Sequence, residues 1–159
     1  MKEETRLPQT NKEGLLYGSI ICGITALLMS GWNISLALGV HLDSFKKVLL
    51  LFPLFFVIAM LLENLVVRPF STAMCRKFGE SEDSFNAQIL FNVLFTVLGM
   101  SFLMTGIGDV IGHGFVIESG FTPRFFAHWP RNFSVVLGIE LLLAQPVARK
   151  VMVWIHRKK

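Results

Sequence analysis

"LLENLVVRPF", residues 61–70, and "GIELLLAQPV", residues 138–147, each place one glutamate six residues ahead of a proline inside an apolar run. Glu63 precedes Pro69, and Glu140 precedes Pro146. A charged side chain at bilayer depth costs about 2.5–3.5 kcal/mol on insertion scales, and intramembrane acids mark functional sites by default. The recurrence therefore points both to a repeated fold and to the residues on which a function would depend.

The composition is that of a membrane protein. The mean hydropathy is +0.59, and only 16% of the 159 residues are charged, against about 25% in an average soluble domain. Gly14–Val40 is a run of 27 residues without a charge, longer than the apolar core of a signal peptide, which has about 7–15 residues. Basic residues at the segment ends give the net charge of +4, which favours membrane lipids over nucleic acid as partners.

Four segments are long enough to span a bilayer as helices, which takes about 20 mostly apolar residues. They are Gly14–Val40, Val48–Val67, Phe85–Gly108 and Phe125–Ala144. None shows the period-two alternation of a barrel strand, and a helix satisfies all of its backbone hydrogen bonds internally. The sequence therefore predicts an all-α integral membrane protein with four transmembrane helices.

The two halves of the chain resemble each other. A shift of 77 residues aligns Glu63 with Glu140 and Pro69 with Pro146, and a shift of 71 aligns T-x-L-x-M-S at 25–30 with the same pattern at 96–101. Each copy crosses the membrane twice, so both face the same way. We predict two tandem, parallel two-helix repeats, at 14–78 and 85–155, between a tail at 1–13 and a basic tail at 156–159.

The prediction for orientation follows from the positive-inside rule. Eleven Lys and Arg residues lie on the side of the two termini and of the middle connection, and four lie on the other side. The four are Lys46, Lys47, Arg124 and Arg131. We therefore expect an inner-membrane, multi-pass protein with both termini in the cytoplasm.

These motifs resemble a bacterial family, the domain of unknown function 2798. The matching features are T-x-L-x-M-S in the first helix of each pair, an aromatic-proline step at Phe52-Pro53 and Trp129-Pro130, and a proline followed by basic residues. The resemblance implies a small two-helix membrane unit, present twice, without an established activity. A more distant likeness, carried by Trp32-Asn33, is to proteobacterial antimicrobial compound efflux transporters. Those transporters resemble one another in a glutamate on the first helix, which Gly14–Val40 lacks.

Glu63 and Glu140, with the neighbouring Asn64, are the candidate proton-binding or substrate-binding residues. Each acid lies about four residues inside the cytoplasmic edge of its span, so about 6 Å deep. One interpretation is a shared site in which the two acids titrate as a coupled pair. The other is structural: each acid is protonated and acts as hydrogen-bond glue between helices.

The basic and small residues of the spans have structural interpretations. Arg68, Arg149 and Lys150 are expected to reach lipid phosphates at the membrane interface. The four prolines at 53, 69, 130 and 146 are expected at span ends or first turns, where proline is tolerated. If the helix continues past Pro146, that proline is expected to be a kink instead. Small residues of the first and third spans are expected to face the acid-bearing spans; they are Gly18, Gly23, Ser30, Gly31, Gly99, Ser101 and Gly106.

No catalytic, nucleotide-binding or metal-binding motif is present, so we expect neither an enzyme nor a cofactor. The hydroxyls of Thr25, Ser30, Thr96 and Ser101 are expected to serve helix packing. No base is expected beside them. Six possible metal ligands on the external side lack ligand spacing and are expected to be solvated loop residues; they are His41, Asp43, Asp109, His113, Glu118 and His128.

Two functions remain open on the sequence. The first is a small proton-coupled permease or efflux-like transporter, in which Glu63 and Glu140 exchange protons for a cationic or amphipathic solute of unknown identity and a homodimer encloses the path. The second is a non-transporting scaffold or accessory subunit whose acids only fasten helices together. External metal sensing through His113 and His128 is a third possibility, with a weaker basis because the ligand spacing is absent.

Overall fold

The described residues are 6–78, 85–117 and 119–157 of a computed structural model, and all of their regular structure is helical. This confirms the predicted all-α class. Predictions that concern Glu118, or the tail residues 1–5 and 158–159, lie outside the described residues. There are four long helices: α1 (Asn11–Leu38), α2 (residues 42–78), α3 (Phe85–Gly112) and α4 (residues 121–156).

The first helix begins and ends at residues suited to those positions. The Thr10 side chain accepts a hydrogen bond from the backbone N–H of Glu13, and the Glu13 carboxylate accepts one from the backbone N–H of Gln9. Together they satisfy two donors at the helix start, much as a capping box does. Gly39 ends the helix with a φ of 78°, a conformation that glycine adopts without steric cost.

Both acid-bearing helices contain one π-helical turn. In α2, α-helical Leu42–Leu62 and Arg68–Phe78 flank the π-helical turn Glu63–Val67. In α4, the α-helical segments Phe121–Ile139 and Gln145–His156 flank the π-helical turn Glu140–Ala144. The N–H of the residue that follows each turn donates to the carbonyl of the glutamate five residues earlier. The two glutamates therefore begin the same irregularity at equivalent positions of the two repeats.

Pro69 and Pro146 each lie two residues past the end of one of these turns. In a regular α-helix the proline ring clashes with the carbonyl four residues earlier, and the ring nitrogen has no hydrogen to donate. A wider turn just before the proline relieves this clash and lets the helix continue, to Phe78 in one case and to His156 in the other. The expectation that the four prolines lie at span ends or first turns is therefore wrong, since Pro53 and Pro130 also lie inside helices.

Three of the described helices are long and apolar enough to cross a membrane, over Asn11–Leu36, Phe45–Phe78 and Ala87–Gly112. The fourth helix, which contains the predicted span Phe125–Ala144, is long but is not among these candidate spans. Its charged residues include Arg124, Arg131 and Glu140. We therefore describe the chain as a multi-pass membrane protein with four long helices.

The chain divides into two compact units. The first comprises Met1–Met60 and Gly138–Lys159. Within its described part, α1 packs against the C-terminal half of α4, from the π-helical turn onward. The buried residues of these helix segments include small ones on both helices, Cys22, Ala26, Ala144 and Ala148, together with the fully buried Met152 of α4. We call this contact the first seam.

The second unit is Leu61–Leu137. Within its described part, α3 packs against the C-terminal half of α2, again from the π-helical turn onward. Val67, Ser71, Val93 and Val97 are its most buried residues at this contact. We call this contact the second seam.

The two seams use equivalent positions of the two repeats. The shift of 77 relates Val67 to Ala144 and Ser71 to Ala148, and the shift of 71 relates Cys22 to Val93 and Ala26 to Val97. All eight residues are buried. Each seam therefore joins the first helix of one repeat to the second helix of the other.

Three of the small residues pack against acid-bearing helices as predicted. A Cβ placed at Gly23 would lie 3.6 Å from the Phe56 ring, one at Gly99 would lie 3.2 Å from the Phe70 ring, and one at Gly106 would lie 3.7 Å from the Phe125 ring. Gly31 differs, because a Cβ there would meet no described atom within 4 Å. The prediction fails for Gly31.

Candidate functional site

Glu140 is a buried acid of the first seam. It is 6% exposed, and it begins the π-helical turn that points its backbone carbonyl at the N–H of Gln145. The Thr25 hydroxyl of α1 donates a hydrogen bond of 3.1 Å to Glu140 Oε1. The expectation that Thr25 has no base beside it is therefore wrong. Single π-helical turns inside α-helices are frequent at functional sites.

A second polar contact lies one π-helical turn further along the first seam. The Tyr17 hydroxyl donates a hydrogen bond of 2.5 Å to Gln145 Oε1. Arg149 and Glu140 both lie close enough to this hydroxyl to act on it electrostatically. The Nε atom of Arg149 is buried and has no hydrogen-bond partner among the described residues. The seam thus holds an acid, a phenol and a guanidinium in succession.

The far end of the first seam carries a buried pair of ionisable residues. His156 Nε2 lies 3.1 Å from Glu13 Oε2, and the two side chains are 7% and 9% exposed. Glu13 belongs to α1 and His156 to α4, at opposite ends of the chain. The two residues therefore fix the start of α1 to the end of α4.

Glu63 occupies the equivalent π-helical position in the second unit and is less buried than Glu140. Arg68 is close enough to act on the Glu63 carboxyl electrostatically, although its side chain is largely exposed. Asn64 is half-buried. Because Glu63 and Glu140 belong to different units, a site shared by both acids stays a prediction of the sequence.

The second seam is fastened by neutral groups. The buried Ser71 hydroxyl donates a hydrogen bond of 2.6 Å to Asn92 Oδ1, and the Thr96 hydroxyl donates one of 3.2 Å to Ser71 Oγ. Thr96 is the repeat equivalent of Thr25. The same threonine position thus contacts a carboxyl group in the first seam and a hydroxyl group in the second.

The predicted interface residues divide into two groups. Arg68 and Lys150 are exposed, as a headgroup contact requires, whereas Arg149 is half-buried and lies beside Tyr17. Their contact with lipid phosphates stays a prediction. Arg149 is placed instead to contribute a positive charge inside the first seam.

Asp109 is not a solvated loop residue, which corrects the expectation from the sequence. It lies in the last turn of α3, and Arg124 of α4 forms a two-pronged ion pair with it, Nε to Oδ1 and Nη2 to Oδ2, both 3.1 Å. His113 Nδ1 lies 2.8 Å from the Asp109 carbonyl oxygen. Within the described ranges, no three His, Cys, Asp or Glu residues are grouped to hold a metal ion.

Breaking this ion pair is expected to destabilise the second unit. Asp109 is 8% exposed in its side chain, so Arg124→Ala leaves a carboxylate that has lost two charge-assisted hydrogen bonds, at a cost of about 2 kcal/mol. Arg124→Lys keeps the positive charge but cannot donate to both Asp109 oxygens at once, so an intermediate loss of stability is expected. Thermal unfolding in detergent measures the effect, with the exposed Arg131→Ala as the control. Equal midpoints for Arg124→Ala and Arg131→Ala would contradict this account.

Sequence reasoning missed most polar contacts of the first seam. Tyr17 is the single tyrosine of the chain, and Glu13 is the last acid before the first span, so both were visible as unusual residues. Their partners Gln145 and His156 lie more than 120 residues away in the chain. That pairing depends on a contact between different repeats, which the repeat pattern does not specify.

Comparison with protein families identifies the repeats. The family model described as Domain of unknown function (DUF2798) matches residues 10–79 and again residues 84–156. No curated protein and no solved structure matches the chain, so the likeness to efflux transporters is not supported. The two matches cover most of the 159 residues, and the chain therefore belongs to the DUF2798 family, with two copies of its unit in tandem.

Proposed function

We propose that this protein is a small proton-coupled membrane transporter in which Glu140 binds the coupling proton. The observation that carries the proposal is the burial of Glu140 at a π-helical turn, with the Thr25 hydroxyl at 3.1 Å. A carboxyl group in that setting can be kept neutral by protonation or charged by a partner. A change of partner on binding a solute would therefore move a proton on or off Glu140.

The proposed solute is cationic or amphipathic. A deprotonated Glu140 attracts positive charge when it is out of water, and a cationic solute binds beside it in exchange for the proton. Tyr17 adds an aromatic ring to the first seam, one π-helical turn away. The four helices of one copy are too few to enclose a pathway for the solute. We therefore propose a homodimer, with lipids in contact with its outer faces.

We propose that both termini lie in the cytoplasm. Of the 15 Lys and Arg residues, eleven lie at the two termini or in the middle connection, and positive charge accumulates on the cytoplasmic side of membrane proteins. With this orientation the Glu13–His156 end of the first seam faces the cytoplasm. We propose no enzymatic activity and no cofactor.

Reconstituted protein tests this function. Purified protein in liposomes that contain a pH-sensitive dye is given a pH gradient, and a lipophilic cation such as ethidium is added outside. Transport predicts cation movement that depends on the gradient, together with proton movement in the opposite direction, at rates well above those of empty liposomes. Equal rates with and without protein, for ethidium and for a panel of organic cations, would contradict the proposal.

The second candidate is a non-transporting scaffold, and a specific observation favours it. The helix contacts of the second unit are fastened by neutral hydrogen bonds, from Ser71 to Asn92, from Asn132 to Thr105 and from Trp129 to Ser101. Such contacts hold membrane helices together at about 0.6–2 kcal/mol each. If Glu140 has the same role, its loss lowers stability and changes no flux.

A further inference from the structure

The Glu13–His156 pair lies where the other unit has a peptide connection. The shift of 77 that aligns Glu63 with Glu140 places His156 opposite Gly79. The shift of 71 that aligns α1 with α3 places Glu13 opposite Ser84. Residues 79–84 join α2 to α3 along the chain, whereas no segment joins α4 to α1.

We propose that Glu13 and His156 form a noncovalent clasp that holds the beginning of α1 against the end of α4, two helix ends that the chain itself does not connect. The 3.1 Å contact joins the beginning of α1 to the end of α4. The next hydrogen bond described between the two helices is that of Tyr17 with Gln145, further along the seam.

Burial makes this pair more than an incidental surface contact. Both side chains are at least nine-tenths buried, and removing one member of a buried ion pair is strongly destabilising. Glu13 Oε2 also accepts the Gln9 N–H at 2.8 Å. The same oxygen therefore anchors α4 and organises the start of α1, and loss of the clasp loosens both.

The clasp bears on the Glu140 site because α1 carries the groups that reach it. Thr25 and Tyr17 are fixed to the same helix as Glu13. Holding the start of α1 against α4 therefore keeps the Thr25 hydroxyl at Glu140 and the Tyr17 hydroxyl at Gln145. The clasp is a property of the fold, so it stands whether or not the protein transports a solute.

A double-mutant cycle in the full-length protein tests the clasp. Thermal unfolding midpoints are measured in lipid nanodiscs for wild type, Glu13→Ala, His156→Ala and the double variant. Each single substitution is expected to lower the midpoint by about 5–10 °C, and the double variant should fall no further than the larger single effect. Lys12→Ala and Arg157→Ala, which remove exposed charges beside the pair, should leave the midpoint within about 2 °C.

A rearranged chain gives a second measurement. A flexible linker joins Arg157 to Arg6, and new termini are opened between residues 79 and 84, so that the first seam gains the connection and the second loses it. His156→Ala is expected to lower the midpoint less than half as much in this chain as in wild type. Additive single effects, or an equal effect of His156→Ala in both chains, would overturn the proposal.

Discussion

Replacing Glu140 by glutamine is expected to abolish proton-coupled flux while the protein still folds and inserts. Glutamine retains a side-chain oxygen that can accept the hydrogen bond from the Thr25 hydroxyl, which is 3.1 Å long in wild type. The loss in the free energy of unfolding should therefore stay near 1 kcal/mol. The side chain can no longer gain or lose a proton. A positioned proton-transfer group contributes about 100-fold to 10,000-fold to the step it serves, and a loss of at least about 100-fold in coupled flux is therefore expected.

The second repeat supplies a matched control. Glu63→Gln makes the same chemical change at the equivalent π-helical position, but Glu63 is less buried and the neighbouring seam contains neutral partners. We expect Glu63→Gln to retain flux within about tenfold of wild type. Thr25→Val, which removes the hydroxyl but leaves the acid, should reduce flux less than Glu140→Gln does.

The pattern of these three variants separates the two proposed functions. A scaffold predicts that Glu140→Gln and Thr25→Val both lower the unfolding midpoint and that wild type itself gives no coupled flux. If wild type transports and Glu140→Gln transports equally well, transport does not depend on this acid. If Glu63→Gln is as damaging as Glu140→Gln, the asymmetry between the two seams has no functional meaning.

Enlarging Gly99 is expected to destabilise the second seam strongly. A Cβ at this position would lie 3.2 Å from the Phe70 ring and 3.6 Å from Val67, both on the C-terminal half of α2. Gly99→Leu adds three further carbons where the two helices are in contact. Overpacking of this kind costs about 1–3 kcal/mol, so the unfolding midpoint should fall by about 3–10 °C in nanodiscs.

Gly31→Leu is the matched control for this prediction. Both glycines lie within helices that are long and apolar enough to cross a membrane, but a Cβ at Gly31 meets no described atom within 4 Å. Leucine there should be tolerated, and its better helix propensity should slightly stabilise α1. A smaller midpoint loss for Gly99→Leu than for Gly31→Leu would show that α3 and α2 do not approach each other closely at Gly99.

The features that the sequence predicted are those that depend on composition and period. Long uncharged runs such as Gly14–Val40 identify helices because few other structures satisfy the backbone in lipid. The alignment of Glu63 with Glu140 identified the repeat, and the family matches at 10–79 and 84–156 agree with two tandem copies. Glu140 is identifiable from the sequence because it is an acid inside an apolar run.

The features that the sequence did not predict depend on local geometry and on distant pairing. Propensity treats Pro69 and Pro146 as helix ends, but a π-helical turn lets each helix continue, and five-residue π-helical turns are too rare to expect from composition. The exchange of partners between repeats decides that Thr25 meets Glu140. The ion pair of Asp109 with Arg124 was missed because ligand spacing was considered and ion pairing across the helix connection was not.

Solid-state NMR of the protein in lipid bilayers tests the central claim most directly. With carbon-13 labels, the Thr25 side chain and the Glu140 carboxyl carbon are predicted to give a through-space cross-peak, because the hydroxyl and the carboxyl oxygen lie 3.1 Å apart. The peak should vanish in Thr25→Val and persist in Thr96→Val. If the Glu140 carboxyl instead shows cross-peaks only to lipid acyl chains, the buried acid of the first seam, and with it the proposed proton site, is contradicted.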